Sequence, residues 1–203
     1  YKEVWPFTYD GDVVSEDTLS TGLKTNEDEN PSFDLVRTFA AELIAATTDE
    51  ERRAVIEAYM DVDATLTHFA VDRTIRHDDG PLHWYCGIPT GSATGRCGPH
   101  NYYIYEDPTA GKIHVIPWDL DNAFEEALLG GGSLTAIADG WGEVTNDCEP
   151  FTFGSFGIGQ RSSACDPLFA ALALFDEEYE AALDRVHAGP LATFEAELGK
   201  WAE

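Results

Sequence analysis

From Phe33 onward the apolar residues return every three or four positions. Leu35, Val36, Phe39, Ala40, Leu43 and Ile44 form one stripe, the spacing of an amphipathic helix. Asn30-Pro31 or Ser32 supplies its start signal. Thr48-Asp49-Glu50-Glu51 reads as a capping box that opens a second helix through Val55, Ile56 and Tyr59. Asp61 can cap a third, which carries Val62, Leu66, Phe69 and Ala70 to about Ile75. Three helices with short connections predict a helical subdomain. The third stops at Arg76-His77-Asp78-Asp79-Gly80-Pro81, where glycine and proline break the pattern.

The period then shortens. Two β-rich runs, 101–106 and 112–117, flank Asp107-Pro108-Thr109-Ala110-Gly111. Proline favours the turn and glycine can take a positive φ, so this stretch predicts a β-hairpin. Pro117 has no N–H and ends the second strand, delivering Asp119 and Asp121 at its mouth. A short helix around 123–129 and a break at Gly130-Gly131-Gly132 follow. Residues 1–30 read as extended segments and loops, 86–99 as a glycine-rich insert, and 133–165 as turn-rich. Asp166-Pro167 starts a helix through Leu168, Phe169 and Leu172, which either continues or hands over to a successor reaching Gly189, and Pro190 opens a last amphipathic helix to Trp201. The fold class is α+β, mainly helical, with a central hairpin.

At 203 residues, 43% of them hydrophobic, the chain can bury one real core, so residues 1–203 are expected to form a single domain. Thirty-eight acidic residues against 12 basic ones give a net charge of −26, a field that repels nucleic acid and anionic lipid. That field also repels free ATP, so a nucleotide would have to arrive as a metal complex or enter a locally basic cleft. A salty environment is compatible with the same composition. No apolar run approaches the roughly 18 residues of a membrane span. The opening Tyr1-Lys2-Glu3 is not a signal peptide, which points to a mature, trimmed or fragmentary chain.

Four cysteines are present without Cys-x-x-Cys spacing, and the six histidines share no ligand spacing, so zinc is disfavoured. Pairing Cys86 with Cys97 and Cys148 with Cys165 closes the shortest loops at least entropic cost. An even count in loops points to an oxidising compartment and thus to a secreted or cell-surface protein, the alternative being four free thiols. Gly154-x-x-Gly157-x-Gly159 lacks the strand-to-helix context of a phosphate loop and reads as structural.

The candidate chemistry lies in carboxylates. Asp119 and Asp121 at a strand end, beside Trp118, suit a hard cation and whatever it carries; the competing reading is that they cap the helix beginning near Leu120. Asp78 and Asp79 sit in a turn where an aspartate can act as a base or bind metal, although Asp-Gly is also ordinary turn chemistry.

Three segments in order resemble the CotH (spore-coat protein H) kinase family, secreted proteins with a divergent protein-kinase-like fold. Leu23-Lys24-Thr25-Asn26-Glu27 looks like the family's Lys-Thr-Asn-Glu segment. Tyr59-Met60-Asp61-Val62-Asp63, leading to Asp78-Asp79-Gly80, looks like its Asp-Val-Asp helix and Asp-Gly turn. His100-Asn101-Tyr102-Tyr103-Ile104-Tyr105, with Gly111-Lys112 and Ile116-Pro117-Trp118-Asp119-Leu120-Asp121, resembles its strongest signature. The resemblance implies a kinase-like domain that transfers the γ-phosphoryl of ATP to Ser or Thr of a protein substrate with Mg²⁺ or Mn²⁺.

By the same resemblance Asp79, or its neighbour Asp78, positions or deprotonates the acceptor hydroxyl. Asp119, Asp121 and Asn101 would hold the metal, and Trp118 would stack on adenine or lie in the core. About 23 residues precede Lys24, too few for the lobe that supplies a phosphate-binding lysine. The chain is thus expected to be a C-terminal lobe, inactive alone and completed by another chain or segment. A different class of function is a non-catalytic extracellular adhesion or scaffold module whose acidic site binds Ca²⁺. A sugar-nucleotide transferase built on Asp119-Leu120-Asp121 is disfavoured because no βαβ unit precedes it.

Overall fold

The structure is a computed structural model that describes residues 1–25, 31–87, 97–124, 140–153, 158–194 and 200. Its helices are α1 (Glu16–Thr21), α2 (Asp34–Ala45), α3 (Asp49–Tyr59), α4 (Val62–Thr74), α5 (Pro167–Leu172) and α6 (Asp176–Val186). Its strands are β1 (Trp84–Cys86), β2 (Cys97–Gly98), β3 (Tyr102–Asp107), β4 (Lys112–Pro117), β5 (Phe151–Phe153) and β6 (Ile158–Arg161). Strands β3 and β4 form the expected hairpin, with Tyr102 opposite Pro117 and Asp107 opposite Lys112. The other four make an antiparallel sheet in the order β2-β1-β6-β5. The architecture is α+β.

Local signals account for the helix starts. Thr48 Oγ1 accepts from the Glu51 N–H at 3.2 Å, and the Glu51 carboxylate accepts from the Thr48 N–H at 3.1 Å, completing the capping box of α3. Asp61 accepts from the Ala64 N–H at 3.0 Å to begin α4. The far end of α3 is closed from a distance: Lys112 Nζ donates to the carbonyls of Glu57, Ala58 and Met60 at 2.8, 3.0 and 3.2 Å. Those carbonyls lie where a helix runs out of intrahelical donors, so one ammonium both caps α3 and fastens the hairpin to the helices. A parallel bridge between Met60 and Ile113 continues the same contact.

The core is centred on Phe169 of α5. Trp5 stacks on it at 5.2 Å and Phe69 of α4 at 5.6 Å, while Trp84 and Trp141 meet it edge-on at 6.0 and 6.3 Å. Phe39, Leu43, Ile56, Leu66, Leu172, Phe175 and Ala182 extend this core through the helices. Arg53 of α3 lies over Phe175, its guanidinium carbon 3.8 Å from the ring centroid.

Several parts differ from the sequence-based expectation. The N-terminal stretch contains α1, capped by Ser15, and residues 1–4 run beside β3, with the Ile104 N–H donating to the Tyr1 carbonyl at 2.8 Å and the Glu3 N–H to Tyr102 at 3.2 Å. The segments read as an insert and as turn-rich carry the four-stranded sheet. Its strands span two to four residues, too few for alternation to show. Cys86 and Cys97 are facing residues of β1 and β2 and form one disulfide, and Cys148 and Cys165 form the other, the nearest-neighbour pairing.

Of the two readings of the helix after Asp166, the structure takes the successor, since a short break separates α5 from α6. The departure comes after Val186, where the helix passes through a π turn, His187–Leu191, with Pro190 inside it rather than at a start. A π turn interrupts the regular ladder, which is where a missing N–H is best tolerated. The Asn26–Asn30 run, the 123–129 helix beyond Phe124, Gly130-Gly131-Gly132, Gly154 and Gly157, and the last helix beyond Phe194, apart from Lys200, lie outside the described residues.

Asp166 ties the core to a helix terminus. Its carboxyl accepts from the N–H groups of Leu168 and Phe169 at 2.9 and 3.3 Å and from Trp5 Nε1 at 2.9 Å. Complete burial pushes this carboxyl up to about 7, while the helix amides, Trp5 and Arg161 pull the other way. A raised folded-state value means that the stabilisation is fully present below the unfolded value near 4 and is lost as pH rises through 7. Asp166→Asn does not titrate. Its unfolding free energy, from urea titration, should therefore improve relative to wild type between pH 5 and 8, on the order of 2–4 kcal/mol; a constant difference would show that Asp166 is ionised throughout.

Candidate active site

Three segments meet at the mouth of the hairpin: the loop that follows α4, the residue before β3 and the residues after β4. Asn101 and Asp119 occupy the two edges of that mouth, and both have left-handed backbones, with φ of 52° and 50°. Asparagine and aspartate tolerate this region better than most residues. The Trp118 N–H donates to the Asn101 carbonyl at 3.1 Å and closes the mouth. Asn101 Nδ2 donates to Asp79 Oδ2 at 2.9 Å, and the Asn101 N–H to Glu3 Oε1 at 3.3 Å. Further along, the Asp78 N–H donates to the Asn122 carbonyl at 3.2 Å and the Phe124 N–H to the Ile75 carbonyl at 2.7 Å. The loop after α4 is thereby fixed against both hairpin ends.

The two adjacent aspartates have different surroundings. Asp78 is 7% exposed. Tyr85 donates its hydroxyl to Asp78 Oδ2 at 2.5 Å, and His83 Nδ1 lies 2.6 Å from the Asp78 carbonyl and 3.2 Å from Oδ1. Those contacts hold its carboxylate within the turn. Asp79 is only partly covered. Burial pushes its carboxyl up; His100, the Asn101 amide and His77 oppose this, and Asp78 adds to it. A carboxyl with strengthened proton affinity, held by one amide and reachable from outside, is suited to accept a proton.

Asp119 and Asp121 are exposed. Asp119 precedes a 3₁₀ turn, Leu120–Asn122, that contains Asp121, and the Asp119 side chain makes no capping bond to it, so capping does not explain that carboxylate. Trp118 is 43% exposed and is not a core residue. Tyr103 meets it edge-on at 5.2 Å, and Lys2 Nζ lies 5.4 Å from its centroid. Among the described residues no group of three or more His, Cys, Asp and Glu side chains is gathered to hold an ion. Asp119, Asp121 and the Asn101 amide oxygen, all hard donors, are the groups that could contribute to a site completed by phosphate oxygens and water.

Beneath this surface lies a cluster that the sequence reading did not single out. Asp72 and His77 are 2% and 0% exposed. His77 Nδ1 is 2.8 Å from Asp72 Oδ1, and its Nε2 is 3.1 Å from the Asp119 carbonyl. Arg73 Nη2 donates to Asp72 Oδ2 at 2.9 Å and to the His77 carbonyl at 3.2 Å. A signal was present: Arg73 continues the buried line Leu66–Phe69–Ala70 and Asp72 the line Thr65–Phe69, and charge on a buried stripe requires a partner. Gly80 passes directly over the cluster. A Cβ there would overlap the Asp72 carboxylate and lie 2.7 Å from His77 Nδ1.

A family model described as CotH kinase protein matches residues 7–153. The chain belongs to this family. The matched stretch includes every residue of the hairpin mouth, the loop after α4 and the buried cluster; α5 and α6 lie beyond it. Neither the curated proteins nor the solved structures contain a match to the chain.

The glycine in this CotH-family loop is open to a direct check. Gly80→Ala should destabilise the protein by about 1–3 kcal/mol through overpacking. Gly98→Ala, where an added Cβ meets nothing within 4 Å, should stay within about 0.5 kcal/mol. Urea denaturation of both variants measures this, and equal midpoints would show that the loop can relax away from the cluster.

Proposed function

We propose that this CotH-family chain forms the C-terminal lobe of a kinase-like domain that transfers the γ-phosphoryl group of ATP to Ser or Thr hydroxyls of a protein substrate. The observation that carries the reading is the Asn101–Asp79 hydrogen bond, which joins the loop bearing Asp79 to the β3 edge of the hairpin mouth, across from Asp119 on the β4 edge. In the reaction the acceptor oxygen attacks the γ-phosphorus, the bond to the β-phosphate oxygen breaks, ADP leaves and the hydroxyl proton passes to Asp79. Mg²⁺ or Mn²⁺, when bound, would neutralise charge on the phosphates. Asp119 and Asp121 would hold it, with Asn101 Oδ1 as a neutral donor, its Nδ2 being committed to Asp79. Trp118 offers an exposed aromatic surface beside them for the base. Asp78 supports the loop rather than the chemistry.

The overall charge of −26 favours entry of the nucleotide as its metal complex. Lys2 over Trp118 adds one positive charge at the rim, and the main phosphate-binding cation is assigned to a further segment or chain. The two disulfides favour an oxidising, extracellular setting. No helix among the described residues is long and apolar enough to cross a membrane.

The test is a thermal-shift titration with Mg·ATP and Mn·ATP, followed by phosphotransfer measured with the remaining lobe supplied. Wild type should be stabilised by metal and nucleotide together. Asp119→Ala should weaken that binding at least tenfold, about 1.4 kcal/mol, whereas Asp79→Asn should bind nucleotide and lose transfer. Stabilisation by Ca²⁺ alone, unaffected by Asp119→Ala, would replace this reading with the adhesion or scaffold module.

A further inference from the structure

We infer that Asp72 and His77 form a buried positioning pair that sets the direction of the Asp119 carboxylate by gripping its backbone, an inference resting on the proposed metal-binding role of Asp119. The argument starts from the backbone. An L-residue at φ 50° lies outside the ordinary low-energy regions, so surrounding contacts must hold it there. The Asp119 side chain supplies no capping bond of its own. His77 does supply a contact: its Nε2 lies 3.1 Å from the Asp119 carbonyl. With the carbonyl drawn inward to a fully buried ring, the exposed carboxylate is left at the hairpin mouth.

The ring cannot turn away, because its other nitrogen is held by Asp72 at 2.8 Å. Asp72 is in turn fixed by Arg73 at 2.9 Å. Burial would raise the Asp72 carboxyl, yet the hydrogen bonds and charges of His77 and Arg73 keep it below its ordinary value. Gly80 leaves the pair no room to open on that side. The chain of contacts Arg73–Asp72–His77–Asp119 has the form of outer-shell support for a metal carboxylate, in which groups that never touch the ion govern its affinity. A core-filling role alone would need neither the Nε2 contact nor a left-handed residue at its end.

The test uses Asp72→Asn, His77→Leu and His77→Gln, with Mn²⁺ binding in the presence of ATP read by electron paramagnetic resonance of free Mn²⁺. Asp72→Asn and His77→Leu should each weaken Mn²⁺ binding about 10–100-fold. His77→Gln, which keeps a donor for the carbonyl, should recover part of the loss. Asp119→Asn combined with His77→Leu should bind no worse than Asp119→Asn alone, because the histidine acts through that aspartate. Full wild-type affinity in Asp72→Asn and His77→Gln, or additive losses in the double variant, overturns the inference.

Hydrogen exchange supplies a readout independent of metal. The amides of Trp118, Ala123 and Phe124, all hydrogen-bonded in the structure, should exchange faster in Asp72→Asn while those of α2 do not. If wild type binds no Mn²⁺, the metal reading falls, and the exchange pattern still decides the positioning role: unchanged protection at 118–124 overturns it.

Discussion

A two-stranded hairpin is marginal on its own in water, and the β3–β4 pair is no exception: it becomes a rigid platform only because other elements grip it. Tyr102, Ile104, Ile113 and Val115 face the core, residues 1–4 extend one edge, and Lys112 pins the turn end to the last carbonyls of α3. The ammonium contact is charge-assisted and threefold, which makes it the main polar link between the hairpin and the helical layer. Its consequence appears at the opposite end. With the turn anchored, the mouth is free to be shaped by function, and Asn101 and Asp119 stand there in backbone conformations that a regular hairpin would not use.

Much of this arrangement can be read from residue order. The helices α2 to α4 follow from apolar stripes and from Thr48, Glu51 and Asp61; the hairpin follows from its alternating runs and the Asp107–Gly111 turn. Of the candidate site, residue order supplies the family-like segments that hold Asp79, Asn101, Trp118, Asp119 and Asp121. The contrast between the surroundings of Asp78 and Asp79 is not written there. It depends on Tyr85 and His83 reaching back across a turn, contacts that no local pattern encodes. The small sheet escaped for a different reason: its short strands acquire meaning only through partners such as Cys86 and Cys97, or Tyr85 and Gln160.

Charge organises the molecule at two scales. Over the surface, acidic excess sets a negative field that admits anions only in company with cations. Inside, the few basic groups are spent with economy: Arg73 on Asp72, Arg53 on Phe175 and the Leu174 carbonyl, Arg161 on the Tyr9 and Cys148 carbonyls. A chain with 12 basic residues thus uses some of them as internal fasteners, and Arg53 and Arg161 join segments distant in sequence.

Position 119 illustrates how such a fold resists improvement by stability alone. Glycine there would relax the left-handed backbone, and a screen for thermal tolerance would favour it. The same exchange would remove a carboxylate whose backbone is held from beneath by the buried His77. On the proposed metal-binding role, selection for robustness and selection for chemistry would pull this codon in opposite directions, because the backbone that costs stability is the one that presents the carboxylate.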